Sequence, residues 1–328
     1  MAPAMFGKAM AVRAVLPPFL PVEEIRQRVL PVLPDLDIVE EPLDPGKFPL
    51  DQIDVLILTT FTLLPGDVIE RLPALKFIQV ASTGYDAVDL AACRSRGIRV
   101  ANVPVANSAS VAEHVILSAL ILLRRAHQLD SQIRKGEWPL LTDAHDLGGK
   151  VFGIVGMGRI GRALATRLLP FETSTIYYDT VRPSPEEERR LGLTYVDLPT
   201  LFESADVVSL HVPLVPATQG MVNASLLGRM KPGAILVNTA RAEVVDLGAV
   251  RPLVAEGKIH LALDVYPEEP PDFSDSLFQA PGTFYTPHVA GATREAQERF
   301  VAETVKNVLR FLQGKDPLYR VDHLPDPQ

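Results

Sequence analysis

Short apolar runs alternate along this chain with stretches whose apolar residues recur every three or four positions. The runs at 9–16 (AMAVRAVL), 54–60 (DVLILTT), 75–82 (LKFIQVAS) and 98–103 (IRVANV) have strand length and β-branched content. Between or beside them, 22–30 (VEEIRQRVL) and 87–97 (AVDLAACRSRG) carry helical spacing. A second alternating series begins at 150–156 (KVFGIVG) and continues through STIYYD, ADVVSLHVP, AILVNTA, IHLALDV and TFYTPH, which predicts six strands. Strand–helix alternation implies parallel sheets with helices on both faces. One long helix is predicted between the series, at about 109–134, with Ser110 and Glu113 at capping-box spacing. A final amphipathic helix runs over 293–314 and stops at Gly314. The pattern therefore predicts two α/β domains in one chain.

Composition narrows what such a chain can be. Its 328 residues suffice for two cores, and 47% apolar with 22% charged residues describes a globular protein. The net charge of −8 argues against a general nucleic-acid surface but not against small anions, for which one local Arg suffices. A single cysteine, Cys93, excludes an intrachain disulfide and a Cys-cluster metal site. No His/Asp/Glu set has metal-ligand spacing, so no metal is expected. Arg13 and the prolines after it make the N-terminal apolar run a strand rather than a signal peptide. The most apolar stretch, 115–123, is too short to span a bilayer. The expectation is a cytoplasmic protein with no membrane segment.

GMGRIG at 156–161 follows the apolar strand VFGIV and opens the helix RIGRALATRLL. Without that setting the motif is weak; within it, the turn suits a dinucleotide. Gly156 permits the tight turn, Gly158 the approach of a pyrophosphate, and Gly161 close helix–strand packing. The helix dipole and first-turn amides then face the phosphates. Eighteen residues after Gly161 the next strand ends in Asp179, whose carboxylate can accept the ribose hydroxyls and would repel a 2′-phosphate. NAD is therefore expected over NADP, a preference that nearby Arg182 softens.

Three further polar residues each follow a predicted strand: Arg241, Glu269 and His288. Singly, an Arg is most often a surface ion pair, a Glu before Pro a loop carboxylate, and a His a turn residue. Strand C-termini of an open parallel sheet, however, line its ligand crevice. There the three suit one chemistry. Arg241 offers a planar fork for a carboxylate, His288 a proton donor and acceptor, and Glu269 an orienting group that favours the imidazolium.

The segments NVPVANSASVAEH, GKVFGIVGMGRIGRALATRLL, YYDTVRPS, LHVPLVPATQGMVN, LVNTARAEVVD, ALDVYPEEP and TPHVAGAT together resemble the D-isomer-specific 2-hydroxyacid dehydrogenase family, in order and spacing, from about residue 54 onward. The resemblance implies an NAD-dependent oxidoreductase with Arg241, Glu269 and His288 as its catalytic residues. Ser82, Thr83 and Gly84 match the loop whose amides hold the substrate carboxylate. Implied cofactor contacts are Gly156, Met157, Gly158, Arg159, Ile160, Gly161 and Asp179, with Val212, Pro213, Thr218, Thr239, Ala240, Asp264 and His288; Asp264 matches the nicotinamide carboxamide contact. The implied fold is a discontinuous flavodoxin-like substrate domain (1–104 plus 291–328) and a Rossmann cofactor domain (105–290), both doubly wound. Catalysis is expected in the cleft between them, with hinges near 103–106 and 288–292. The glycine turn comes late because most of the substrate domain is built first.

Glu269 stands where the similar formate dehydrogenases carry Gln, so formate is not expected. QVASTGYD has no Lys or Arg to meet a phosphorylated substrate. A 2-oxo acid with a small uncharged tail, such as glyoxylate, hydroxypyruvate or pyruvate, fits best. Two alternatives remain: a phosphoglycerate dehydrogenase without its regulatory domain, and an NAD(H)-sensing corepressor. Ala242 and the triplet DLG (246–248) depart from the commoner family pattern beside Arg241, as does Ala87 in the GYDAVD loop. A homodimer is expected through the long helix and neighbouring loops, with Trp138 a packing or interface residue. His114 and His211 are expected to pack rather than catalyse.

Overall fold

A computed structural model of the chain describes residues 10–17, 20–40, 52–140 and 143–324. The start of the predicted 9–16 strand lies outside these residues. Two compact units are formed, one by residues up to Asn107 together with those from Arg294 onward, the other by Ser108–Thr293. No helix among the described residues is long and apolar enough to cross a membrane.

The first unit contains β1 (Val12–Leu16), α1 (Val22–Val29), β2 (Leu36–Glu40), β3 (Val55–Leu58), α2 (Gly66–Glu70), β4 (Phe77–Val80), α3 (Leu90–Ser95) and β5 (Arg99–Ala101). Its sheet has the order β2-β1-β3-β4-β5, and every described pairing is parallel. β3 and β4 are buried along their whole length, so VLIL reads as a continuous apolar run and FIQV as one interrupted only by the buried Gln79. β2 was not predicted: at the sheet edge it alternates buried Leu36 and Ile38 with exposed Asp37, and Arg13 pairs with Asp37 at 2.8 Å. The chain returns to this unit with its last helix, Arg294–Leu312, here α11. Phe311 stacks on Phe77 of β4 at 4.7 Å, and buried Asn307 donates to Gln79 Oε1 at 2.7 Å. One buried amide satisfies the other, so the helix docks without stranding a polar group.

The second unit contains α4 (Ser108–Arg124), α5 (Ala126–Arg134), β6 (Val151–Val155), α6 (Arg159–Leu168), β7 (Ser174–Tyr178), α7 (Pro185–Leu191), β8 (Leu193–Tyr195), α8 (Leu198–Ser204) and β9 (Val207–Leu210). It continues with α9 (Ala224–Leu227), β10 (Ile235–Asn238), α10 (Leu247–Ala255), β11 (His260–Leu263) and β12 (Thr283–Tyr285). The sheet order is β12-β11-β10-β9-β6-β7-β8, again with parallel pairings. Among the described residues seven strands are present where six were predicted, because β8 is a three-residue edge strand with Thr194 and Tyr195 exposed. The order reverses between β6 and β9, and the crevice of such a fold opens there.

The single helix predicted at 109–134 is two helices. Arg125 takes a left-handed conformation (φ 50°) and ends α4 before α5 begins. The expected capping box is also absent: α4 starts at Ser108, so Ser110 lies inside it, its hydroxyl 2.9 Å from that of Thr293. Glu113 faces outward to Arg167 at 3.1 Å. Trp138 does not pack within the chain, being 84% exposed.

Candidate active site

The glycine turn sits at the C-terminal end of β6, and each glycine there answers a different steric demand. Gly156 has φ 98°, and a Cβ on it would lie 2.7 Å from the His211 carbonyl oxygen at the end of β9. A Cβ on Gly161 would collide with the Gly156 carbonyl, so α6 can approach the turn only through glycine. Gly158 is the N-cap of α6 and makes no side-chain cap, while the space beside its Cα is open. Those are the features that leave first-turn amides to an anion. Met157 donates its amide to Asp179 Oδ2 at 2.6 Å, and Val181 donates to Asp179 Oδ1 at 2.8 Å, fixing the carboxylate beside the turn. Arg162 of α6 donates to the Met157 carbonyl.

Two orphaned polar atoms lie on the same sheet edge. Thr239 Oγ1 and His211 Nδ1 are buried with no hydrogen-bond partner among the described residues. His211 Nε2 meets Ser209 Oγ at 2.6 Å, and burial pushes the imidazole down to about 3, so the ring is neutral at physiological pH. Uncapped amides, open space at Gly158 and unpartnered polar atoms fit a dinucleotide held by Gly156–Gly161, Asp179, His211 and Thr239. After β9, the Thr218 hydroxyl donates to the Pro213 carbonyl and accepts from Val215 N at 3.0 Å, which folds the Val212–Thr218 segment.

Arg241 follows β10 in extended conformation, with Nη1 donating to the Ala240 carbonyl at 2.8 Å. The fully buried Asn238 shapes this loop. Its Nδ2 donates to the Arg241 carbonyl at 2.8 Å and its Oδ1 accepts from Ala240 N at 3.0 Å. Ala242 is buried beneath the loop. Asp246 caps α10 by accepting from Ala249 N at 3.1 Å; nothing in the structure explains Leu247 and Gly248 after it.

His288 follows β12, and its Nδ1 is 2.7 Å from Glu269 Oε2. Glu269 Oε1 accepts from Tyr266 N at 3.1 Å, so both carboxylate oxygens are engaged. The His288 backbone is left-handed (φ 55°), a costly conformation for a non-glycine residue. Asp264, only 2% exposed, holds it there: Oδ1 accepts from Thr286 Oγ1 at 2.6 Å and Val289 N at 2.8 Å, and Oδ2 from Ala290 N at 2.9 Å. Since the Thr286 hydroxyl proton goes to Asp264, His114 Nε2, 3.1 Å from Thr286 Oγ1, must be the donor of that bond. Burial lowers the His114 pKa and Asp264 partly opposes this. The Tyr266 hydroxyl, pushed up chiefly by burial, donates to the Thr286 carbonyl at 3.0 Å. Asp264 N in turn donates to the Asn238 carbonyl at 3.1 Å, so the supports of Arg241 and His288 adjoin.

In the first unit, the predicted loop is fixed by polar groups of its own and of Asn102 and Asn107. Ser82 Oγ donates to the Gly84 carbonyl at 3.0 Å, Thr83 Oγ1 to Asn107 Oδ1 at 2.9 Å, and Asn102 Nδ2 to the Thr83 carbonyl at 2.7 Å. Ala87 accepts from Leu64 N at 2.7 Å through its backbone, leaving its side chain without an assigned role. Asn238 and Thr286 were not singled out from the sequence. His114, expected to pack rather than catalyse, makes a polar contact with Thr286 Oγ1 at 3.1 Å.

Comparison with known proteins agrees with this architecture. Residues 116–290 match the model for the D-isomer specific 2-hydroxyacid dehydrogenase, NAD binding domain. The glyoxylate reductase of Thermococcus litoralis is 38% identical over 275 residues, covering 81% of this chain and 82% of that protein. The hydroxypyruvate reductase of Thermotoga maritima is 34% identical over 298 residues, covering 89% and 96%. A D-lactate dehydrogenase from Aquifex aeolicus, solved with NAD and lactic acid, superposes with a TM-score of 0.83 at 29% identity, over 92% of this chain and 96% of that one.

Proposed function

The chain belongs to the D-isomer-specific 2-hydroxyacid dehydrogenases, NAD-dependent oxidoreductases, and we propose that its own reaction is the reduction of a 2-oxo acid with a small uncharged tail, glyoxylate to glycolate or hydroxypyruvate to the D-2-hydroxy acid. The observation that carries this reading is the His288–Glu269 pair, 2.7 Å apart, at the strand ends that also present Arg241 and the glycine turn. When bound, NADH supplies the hydride. Arg241 pairs with the substrate carboxylate through its planar fork. With Nδ1 facing Glu269, His288 keeps its Nε2 proton for the carbonyl oxygen; afterwards the Nδ1–H tautomer leaves Nε2 as the base for the reverse reaction. Asp179 receives the adenosine ribose, and Asp264 uses its remaining acceptor capacity on the carboxamide. In the first unit, the amides of Thr83 and Gly84 bind carboxylate.

A cytoplasmic homodimer completes the proposal. Its support is the exposure of Leu117, Ile133, Trp138 and Leu140 on and after α4 and α5; light scattering should return twice the 35.8 kDa chain mass.

The test is NADH oxidation with glyoxylate, hydroxypyruvate, pyruvate and phosphohydroxypyruvate, with chiral analysis of the product. Highest kcat/KM for glyoxylate or hydroxypyruvate and a D product from hydroxypyruvate are expected. A preference for phosphohydroxypyruvate would instead identify a phosphoglycerate dehydrogenase, and NADH binding without turnover would indicate a sensing role.

A further inference from the structure

The carboxylates of α7 hold two arginines near the glycine turn. Arg162 of α6 places Nε 2.8 Å and Nη2 3.3 Å from the two oxygens of Glu187. Arg182, three residues beyond Asp179, places Nη2 2.8 Å and Nε 3.2 Å from Glu188 Oε1. Its guanidinium carbon lies 4.4 Å from the ring centroid of Tyr195. The Tyr177 hydroxyl donates to the same Glu188 oxygen, and the Tyr177 ring meets Tyr195 edge-on at 5.5 Å. Only 15% of the Glu188 side chain is exposed, against 54% for Arg182. The carboxylate is thus anchored on strand and helix, and the flexible cation comes to it.

α7 itself is placed firmly. Ser184 caps it by accepting from Glu187 N at 3.2 Å, Pro185 opens it, and Gly192 ends it at φ 62°. Glu188 is held in its charged form by the Tyr177 hydroxyl first and Arg182 second. An arginine this close to Asp179 would ordinarily be available to a 2′-phosphate, through a charge-assisted fork. Here a carboxylate and an aromatic face already occupy it.

We propose that Glu188 is a cofactor-selectivity residue: by latching Arg182 onto Tyr195, it withholds that cation from the 2′-phosphate of NADPH. Rejection of NADPH is thereby shared between the Asp179 carboxylate, which repels the phosphate, and Glu188, which engages its natural counter-charge. The inference rests on the proposed placement of the adenosine ribose at Asp179.

The experiment compares NADPH with NADH in wild type, Glu188→Gln, Glu188→Gln/Arg182→Ala and Asp179→Ser. The readouts are the NADPH/NADH ratio of kcat/KM with glyoxylate and the same ratio of association constants from nucleotide fluorescence. Glu188→Gln retains an acceptor for Tyr177, and the double variant restores the net charge. Glu188→Gln should raise both ratios about five- to tenfold, and Arg182→Ala should remove the gain. A ratio within twofold of wild type in Glu188→Gln, while Asp179→Ser raises it, would overturn the latch and leave the ribose placement standing. A gain that persists without Arg182 would also overturn it. If neither Glu188→Gln nor Asp179→Ser moved the ratios, the ribose placement would fail as well.

Discussion

Replacing Thr286 by Val keeps the shape of the side chain and removes only its hydroxyl. That hydroxyl donates to Asp264 at 2.6 Å and accepts from His114 at 3.1 Å. Losing a hydrogen bond to a charged group costs about 1.5–3 kcal/mol, and stranding a buried donor about 1–3 kcal/mol. Relaxation recovers part of this, so the fold should lose about 2–4 kcal/mol. The rate should suffer for a different reason. Asp264 keeps its bonds to Val289 and Ala290 but loses the one from the residue two before His288, whose φ of 55° needs support. A misplaced general acid costs catalysis rather than binding, so kcat should fall about 10- to 50-fold, or about 1.4–2.3 kcal/mol of barrier. The assay is steady-state NADH oxidation with glyoxylate, alongside NADH affinity by fluorescence and urea unfolding. NADH affinity should change by less than about threefold, since Thr286 is not proposed to touch the cofactor. Thr286→Ser should restore most of the rate. A Val variant that unfolds like wild type and turns over within twofold of it would refute the positioning argument.

Asn238→Ala should raise KM for glyoxylate at least about tenfold while leaving NADH affinity nearly intact, because both bonds it removes shape the Arg241 loop. Initial-rate kinetics at saturating NADH would check this, and an unchanged KM would remove Asn238 from the account. Gly161→Ala drives a methyl into the Gly156 carbonyl and should cost about 1–3 kcal/mol of stability together with a clear loss of NADH affinity. Denaturation and nucleotide titration would report both; retained affinity would contradict the turn's assignment. For His211, the native imidazole is pushed down to about 3, whereas the unfolded one titrates near 6.5. Above pH 6.5 both states are neutral. Below it the unfolded state takes up the extra proton, so stability falls with decreasing pH by up to about 1.4 kcal/mol per unit until about pH 3. His211→Asn should therefore flatten the stability profile between pH 6 and 4; an unchanged slope would show that His211 is not withdrawn from water.

How far the sequence could be read followed from where each residue's partners lie. Gly156, Asp179, Arg241, Glu269 and His288 stand next to apolar strand runs, so their common sheet edge was accessible from local pattern alone. Edge elements were less legible: β8 has three residues, and β2 mixes buried Leu36 and Ile38 with Asp37. The break at Arg125 escaped notice because neither Gly nor Pro marks it. Ser110 read as a cap from spacing, yet its hydroxyl answers Thr293, 183 positions away. Likewise His114 meets Thr286 across 172 positions, a pairing that hydrophobic periodicity does not encode. For Asn238 a signal did exist: a polar residue ends the apolar strand ILVN three positions before Arg241, where a buried amide must find backbone partners.

The most direct test of the central claim is oxidation of bound NADH by glyoxylate in a single turnover, comparing wild type with His288→Asn. If His288 supplies the proton, the rate falls about 10³-fold while NADH affinity stays within threefold of wild type. A variant that still transfers hydride within tenfold of the wild-type rate would contradict it.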